Sequence, residues 1–272
     1  MSPATDAERW LIALDIDGTI LQSDGTITDA VIEQVGRMRD AGHEVMLATG
    51  RGVGMTLPIL DRLGLLSQHV VCANGAITLK RDADAPMGWS RHRVETFDPT
   101  GALDATRVVL EQAHFAIEDE RGFALYTGDF PAGSLGEDSR QVEFEELYGV
   151  RATRLVVYSP DHDEEEFLHV VEGLGLHQVA YNVGWTAWLD IAPEGVDKAS
   201  ALEQVRADLG IPRERCLAIG DGRNDIEMLA WAAEHGRGVA MGNAPAEVVA
   251  AASEQTGTEF EDGVAQVFAA WR

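Results

Sequence analysis

Four apolar residues, Leu11-Ile12-Ala13-Leu14, run without interruption and stop at Asp15-Ile16-Asp17-Gly18-Thr19. A run this short, apolar at every position and bounded by turn residues, predicts a strand buried on both faces. In residues 29–41, Val31, Ile32, Val35 and Met38 recur on one side of a 3.6-residue period, which predicts an amphipathic helix. Strand-like runs at 43–48 and 69–73 bracket a further helix at 54–63, which contains Pro58. Strands alternating with helices in this way predict a parallel sheet covered on both faces.

The rhythm changes after Lys80. Residues 81–85 and 130–138 are turn-rich, 100–114 and 163–173 read as helices, and 154–158, 177–183 and 187–191 read as strands. The alternation then returns with helix 198–209, strand 216–219, helix 225–233, strand 238–240 and helix 246–252. The fold class expected is therefore α/β, a doubly wound, Rossmann-like parallel-sheet core with an inserted α+β cap. Residues 1–82 and 193–272 would form the core and 83–192 the cap, a division that suits a chain of 272 residues. The acidic run Asp163-Glu164-Glu165-Glu166 reads as the solvated first turn of a helix, where the dipole favours anions.

A formal net charge of -25 argues against nucleic acid or an anionic membrane as partner. No apolar run approaches the roughly 18 residues of a membrane span, and residues 1–9 carry no apolar signal core. Cys72 and Cys216 each sit in a strand-like stretch and read as small buried hydrophobes, so a cytoplasmic protein without disulfides is expected. Lysine occurs only at positions 80 and 198, which makes Lys198 worth attention wherever it falls in a pattern.

The chemistry gathers at strand ends, where open α/β sheets bind ligands. Asp15 and Asp17 share a face of the first strand, and Gly18 lets the chain turn so that both converge on one place. Adjacent carboxylates repel unless a cation joins them, and hard oxygen ligands suit Mg²⁺. One carboxylate can then serve as nucleophile and the other as general acid and base. A calcium loop fails on register: Gly18 at its glycine position would make Ala13 the first ligand, and Gly25 would make it Ile20. The second strand ends in Thr49-Gly50-Arg51, a hydroxyl and free N–H groups suited to phosphate. Strand 216–219 ends in Gly220-Asp221-Gly222-Arg223-Asn224-Asp225, a third carboxylate flanked by glycines. Lys198 opens a helix, where an anion is already favoured; a solvated lysine is the plain alternative. The eight histidines, His43, His69 and His177 among them, are scattered without metal-ligand spacing and are expected to be structural.

In this order the segments resemble the haloacid dehalogenase-like superfamily, and within it the small-molecule phosphatases called Cof-type. Asp15-Ile16-Asp17-Gly18-Thr19 looks like the first motif, Ala48-Thr49-Gly50-Arg51 the second, Lys198 the third, and Gly220-Asp221 with Asn224-Asp225 the fourth. Ala73-Asn74-Gly75-Ala76 and Val239-Ala240-Met241-Gly242-Asn243-Ala244 match further segments of that branch. The resemblance implies that Asp15 attacks phosphorus and that Asp17 serves as acid, then base. It implies Mg²⁺ held by the Asp15 carboxylate, the backbone carbonyl of Asp17 and Asp221, with Thr49, Gly50, Lys198 and Asn224 around the phosphoryl group. Gly18, Thr19, Arg51, Asp225 and Asn243 would support them. One departure is Ala199, where relatives usually carry glycine, so the approach of Lys198 to the phosphate could be restricted.

Between Asp17 and Thr49 there is no room for a domain, so the insert corresponds to the family's cap after the second motif. A cap that closes excludes water and reads the leaving group, for which Arg121, Tyr181, Asn182, Trp185 and Trp188 are candidates, although both tryptophans could equally pack within the cap. The substrate expected is a small phosphorylated metabolite such as a sugar phosphate, and the protein a monomer or weak homodimer. A phosphoryl-transferring mutase and a non-catalytic phosphometabolite-binding module are the alternatives.

Overall fold

The computed structural model describes residues 9–131, 134–136, 138–173, 179–183 and 187–271. In chain order the elements are β1 (Leu11–Leu14), α1 (Asp29–Asp40), β2 (Glu44–Leu47), α2 (Val53–Arg62), β3 (His69–Cys72), β4 (Ile77–Arg81), β5 (Trp89–Val94) and α3 (Thr100–Val109). Then come β6 (His114–Glu118), β7 (Ala124–Tyr126), β8 (Ser139–Gln141), β9 (Arg154–Tyr158), α4 (Glu164–Gly173), β10 (Val179–Val183) and β11 (Trp188–Pro193). The chain closes with α5 (Lys198–Leu209), β12 (Cys216–Gly220), α6 (Ile226–Ala233), β13 (Arg237–Ala240), α7 (Ala246–Ala251), β14 (Glu254–Gln255) and α8 (Gly263–Ala269).

The core sheet is wholly parallel, in the order β14-β13-β12-β1-β2. β3 continues it beyond β2 through a parallel bridge between Ala48 and Val71. Because strand side chains alternate between faces, β1 feeds two separate cores. Ile12 and Leu14 join Val31, Val35 and Met38 of α1, whereas Leu11 and Ala13 join Ala201, Leu202 and Val205 of α5. That is the physical content of an apolar residue at every position of this strand. The helix ends are fixed locally. Thr28 accepts a hydrogen bond from the Val31 N–H, Asp197 and Ser200 form a reciprocal cap on α5, and Gly210 ends α5 in the left-handed region.

The insert builds a separate sheet, β10-β11-β9-β6-β7-β8, antiparallel except where β7 and β8 pair. α3 and α4 pack on it, with Leu103, Phe167 and Val171 against Phe115, Ile117, Leu155, Val157, Leu189 and Ile191. β3, β4 and β5 form a third, antiparallel sheet, and β5 leads into the insert.

The fold is the α/β class expected, and the main difference lies at residues 100–114. Helix α3 stops at Val109, and His114 begins β6, which pairs with both β7 and β9. The apolar residues Phe115, Ala116 and Ile117 are buried, which a sheet interior achieves and a helix continuation would not. The expected strand at 177–183 is seen from Val179, while positions 177 and 178 lie outside the described residues, as does Trp185. Cys72 and Cys216 are free and buried in strands, and burial pushes both thiols up to about 12.

Candidate active site

The strand ends converge. β1 and β12 pair in register through Leu14 and Ile219, and the Asp15 N–H continues the ladder to the Ile219 carbonyl at 3.0 Å. Asp15 therefore lies level with Gly220, and Asp221 follows one residue on from the neighbouring strand. Both carboxylates are buried, at 4% and 2% exposure. Lys198 comes from the first turn of α5, is fully buried, and donates from Nζ to Asp15 Oδ1 and Asp225 Oδ1, each at 2.7 Å. Ala199 leaves Lys198 within hydrogen-bond reach of both carboxylates. The other oxygen of Asp225 accepts from the backbone N–H groups of Asp221 at 3.0 Å and Gly222 at 2.9 Å, so Asp225 ties the lysine to the end of β12.

Asp221 is held from two more directions. Thr19 Oγ1 donates to its Oδ1 at 2.9 Å, and Asn243 Nδ2 donates to its Oδ2 and to the Gly18 carbonyl, both at 3.0 Å. Gly18 lies at φ +72°, and a Cβ there would stand 2.3 Å from Asp221 Oδ2. Only glycine meets both demands.

Asp17 is placed differently. Its side chain is 59% exposed, and Arg51 grips it in a fork, Nε to Oδ2 at 2.8 Å and the second guanidinium nitrogen to Oδ1. Arg51 is set by its own backbone, since its N–H donates to the fully buried Thr49 Oγ1 at 3.1 Å and its carbonyl accepts from Ala73. Ala73 and Asn74 both sit in the left-handed region, at φ 49° and 51°, strain of a kind that recurs at functional sites. The twist brings Asn74 Oδ1 to 3.0 Å from Asn224 Nδ2, and a Cβ on Gly50 would stand 3.0 Å from that same oxygen. Thr49, Gly50 and Asn224 are thus drawn together by Asn74, a residue that sequence reasoning quoted as part of a segment but gave no place in the site. Its signal was Asn-Gly directly after a buried strand.

Oxygens of Asp15, Asp221 and Asp225 lie within 4.8 Å of one another. One lysine faces three buried carboxylates, and the imbalance raises Asp15 to about 7, through burial first and then Asp225, with Lys198 opposing. Asp221 rises to about 8, through burial first and then Asp15 and Asp225. A cluster of buried hard oxygen donors that resists carrying its own charge fits a divalent cation such as Mg²⁺. Both oxygens of Asp225 are engaged, by Lys198 and by two backbone N–H groups, and both oxygens of Asp221 by Thr19 and Asn243, so an ion at the cluster would share those oxygens with their present donors. The carboxylate of Asp17 stands apart from the cluster, on Arg51.

The insert sheet looks onto this place. The Glu118 carboxylate of β6 lies 2.8 Å from where a Cβ on Gly52 would stand, directly after Arg51. Arg154 of β9 donates to Asp190 Oδ1, lies 5.9 Å from the Trp188 ring, and is near enough to Asp17 to feel its charge. Arg121, by contrast, is 80% exposed and pairs with Asp119.

Residues 12–268 match the family model for haloacid dehalogenase-like hydrolases. Among curated relatives, the chain is 28% identical to the 5-amino-6-(5-phospho-D-ribitylamino)uracil phosphatase YitU of Bacillus subtilis, over 96% of this chain and 97% of that protein. It is 29% identical to the pyridoxal phosphate phosphatase YbhA of Escherichia coli, over 94% and 96% of the two chains. Among solved structures, the sugar phosphatase BT4131, of subclass IIB of the superfamily, superposes with a TM-score of 0.78 at 23% identity, covering 96% of this chain and 98% of that one. With the match running through nearly the whole chain and both curated relatives being phosphatases, this protein belongs to the haloacid dehalogenase-like hydrolase family.

Proposed function

We propose that the protein is a magnesium-dependent phosphatase that hydrolyses small phosphate monoesters through a phosphoryl group carried on Asp15. The observation that carries this reading is the division of labour between the two carboxylates. Asp15 is buried against Lys198, whereas Asp17 is exposed and held at the mouth by Arg51.

An Asp15 oxygen attacks phosphorus, and the ester P–O bond breaks as Asp17 delivers a proton to the departing oxygen. Asp17 then takes a proton from water, which attacks the phosphorus of the acyl-phosphate and frees Asp15 and inorganic phosphate. Lys198, Thr49, Gly50 and Asn224 receive the phosphoryl oxygens, over which the transition-state charge is spread. Mg²⁺, when bound by Asp15, Asp221 and the backbone carbonyl of Asp17, supplies the positive charge that one lysine cannot. Asp225, Thr19 and Asn243 act through the groups they hold.

Residues 83–192 serve as the cap that reads the leaving group, with Arg154 and Glu118 facing the catalytic loops and Trp188 packed within the cap against Phe130 and Tyr158. The two curated relatives named above are phosphatases of 5-amino-6-(5-phospho-D-ribitylamino)uracil and of pyridoxal phosphate, both ring-bearing, and a sugar or ring-bearing metabolite phosphate in the cytoplasm is the substrate class we assign, with the enzyme a monomer or weak dimer.

The test is phosphate release from sugar phosphates, nucleotides, pyridoxal phosphate and an aryl phosphate, with and without Mg²⁺, beside Asp15→Asn. The reading expects metal-dependent turnover that the variant lacks. Turnover unchanged in the variant would overturn the role of Asp15, and transfer of the phosphoryl group to a second sugar instead of water would make the protein a mutase.

A further inference from the structure

Away from the catalytic loops, β3, β5 and α5 bring together three residues that no linear spacing connects. His69 is the first residue of β3, His92 lies within β5, and Asp208 lies in the last turn of α5. Lys198 begins that same helix, so ten residues at about 1.5 Å each separate the two places by about 15 Å.

His69 is 1% exposed, and neither Nδ1 nor Nε2 has a hydrogen-bond partner. A buried polar ring left wholly unpartnered is rare and calls for an explanation. It faces His92, with 5.7 Å between ring centroids, and His92 Nε2 lies 3.1 Å from Asp208 Oδ2. One nitrogen of each ring and an oxygen of Asp208 all lie within 4.8 Å of one another.

We propose that His69, His92 and Asp208 bind a divalent transition-metal ion of the zinc class, with water completing a four-coordinate shell. Two imidazole nitrogens and a carboxylate suit Zn²⁺ and do not suit Mg²⁺, which selects oxygen. Bonds of about 2.0–2.2 Å to a tetrahedral ion set ligand atoms about 3.3–3.6 Å apart; the His92–Asp208 pair at 3.1 Å would open slightly, and the pairs with His69, within 4.8 Å, would close to that range. The side chains of His92 and Asp208 are each 31% exposed, which leaves the ion a path in from solvent. Burial, with His92 and Lys80, pushes His69 down to about 4, so the ring is in the neutral form that ligates a metal.

Arg93 donates to both oxygens of Asp208, at 2.8 and 3.1 Å, and orients the carboxylate as outer partners of metal ligands do. Its charge and that of Lys80 repel the ion, so the affinity expected is micromolar. The bound ion would tie the hairpin strand that leads into the insert to the far end of the helix that presents Lys198.

The experiment uses the full chain, without a purification tag, in excess Mg²⁺ so that the carboxylate cluster is filled. Zn²⁺ is titrated by calorimetry, Co²⁺ is followed by visible absorption, and melting is recorded with each. The proposal expects one equivalent of Zn²⁺, a melting point raised by several degrees, and an intense Co²⁺ band from a nitrogen-ligated, four-coordinate ion. All three disappear in His92→Gln and in Asp208→Asn, whose changes lie on the exposed side of the trio. A wild-type chain that binds no more Zn²⁺ than His92→Gln does, or a Co²⁺ band that survives that variant, overturns it. None of these readouts depends on phosphatase turnover, so the site stands or falls separately from the function proposed above.

Discussion

Arg51 holds both oxygens of the Asp17 carboxylate, although the two residues are 34 positions apart and leave different strands. The fork fixes the carboxylate proposed as the general acid without burying it. Because both side chains are partly exposed, the pair contributes at most about 1 kcal/mol to stability. Its importance is positional. We expect Arg51→Ala to melt near the wild type yet lose roughly ten-fold or more in kcat, as misplacing a general acid does. Arg51→Lys, which cannot make the fork, should recover only part of it. Steady-state kinetics beside a melt decide the matter, and equal turnover would reduce the pair to a resting contact.

Lys198 presents the opposite balance. Fully buried between Asp15 and Asp225, it is held charged despite its burial by those two carboxylates. Lys198→Met strands two buried anions and should cost about 3–5 kcal/mol, together with nearly all turnover. Thermal melts are the check. Mg²⁺ should restore more of the lost stability in the variant than it adds to the wild type, because it supplies the missing charge.

In the metal-free protein, stability should decline as pH rises. Burial and the neighbouring carboxylates push Asp15 up to about 7 and Asp221 up to about 8 in the folded chain, from an ordinary carboxylate value of 3.8. Between about pH 4 and 8 the folded state therefore binds more protons than the unfolded one, and stability falls with pH across that window. Mg²⁺ favours the ionised forms and should flatten the decline. Melting points in EDTA from pH 5 to 8.5, against the same series in Mg²⁺, test the sign, and a rise with pH in EDTA would refute it.

Asn243 touches no substrate in the mechanism, yet it holds Asp221 Oδ2 and the Gly18 carbonyl at once. Asn243→Ala should weaken the Mg²⁺ requirement curve by roughly 10–100-fold, as loss of a ligand's outer partner does, and leave kcat at saturating metal closer to the wild type. Activity titrated against Mg²⁺ measures both.

What could be read from the chain follows burial. β1, β3 and β12 are four- and five-residue strands with every residue buried, and such runs declare themselves. The hairpin strands β4 and β5 went unseen because Lys80-Arg81 and Arg91-His92 face outward and break any apolar pattern. The helix expected at 100–114 ends at Val109, and Leu110 and Ala113, apolar residues that continue its pattern, are buried in the turn that leads to β6. At the site, each strand-end carboxylate was legible as a residue. The partnerships were not, because the fork of Arg51 on Asp17, the left-handed turn at Asn74 and the meeting of His69 with His92 arise only when distant segments pack.

The position of β1, between β12 and β2, also bears on how the chain acquires its form. Asp15 meets Ile219, Thr19 meets Asp221 and Thr28 meets Asp262 across separations of 202 to 234 residues for the side-chain pairs. A chain emerging from its N-terminus must keep one edge of that apolar strand unmatched until some two hundred further residues have been made. The insert sheet has no such wait, since its strands run consecutively from His114 to Pro193. The insert can thus assemble during synthesis while the surroundings of Asp15, the proposed nucleophile, stand unformed, and the exposed edge of β1 in that interval is where chaperone capture or misassociation of the nascent chain would begin.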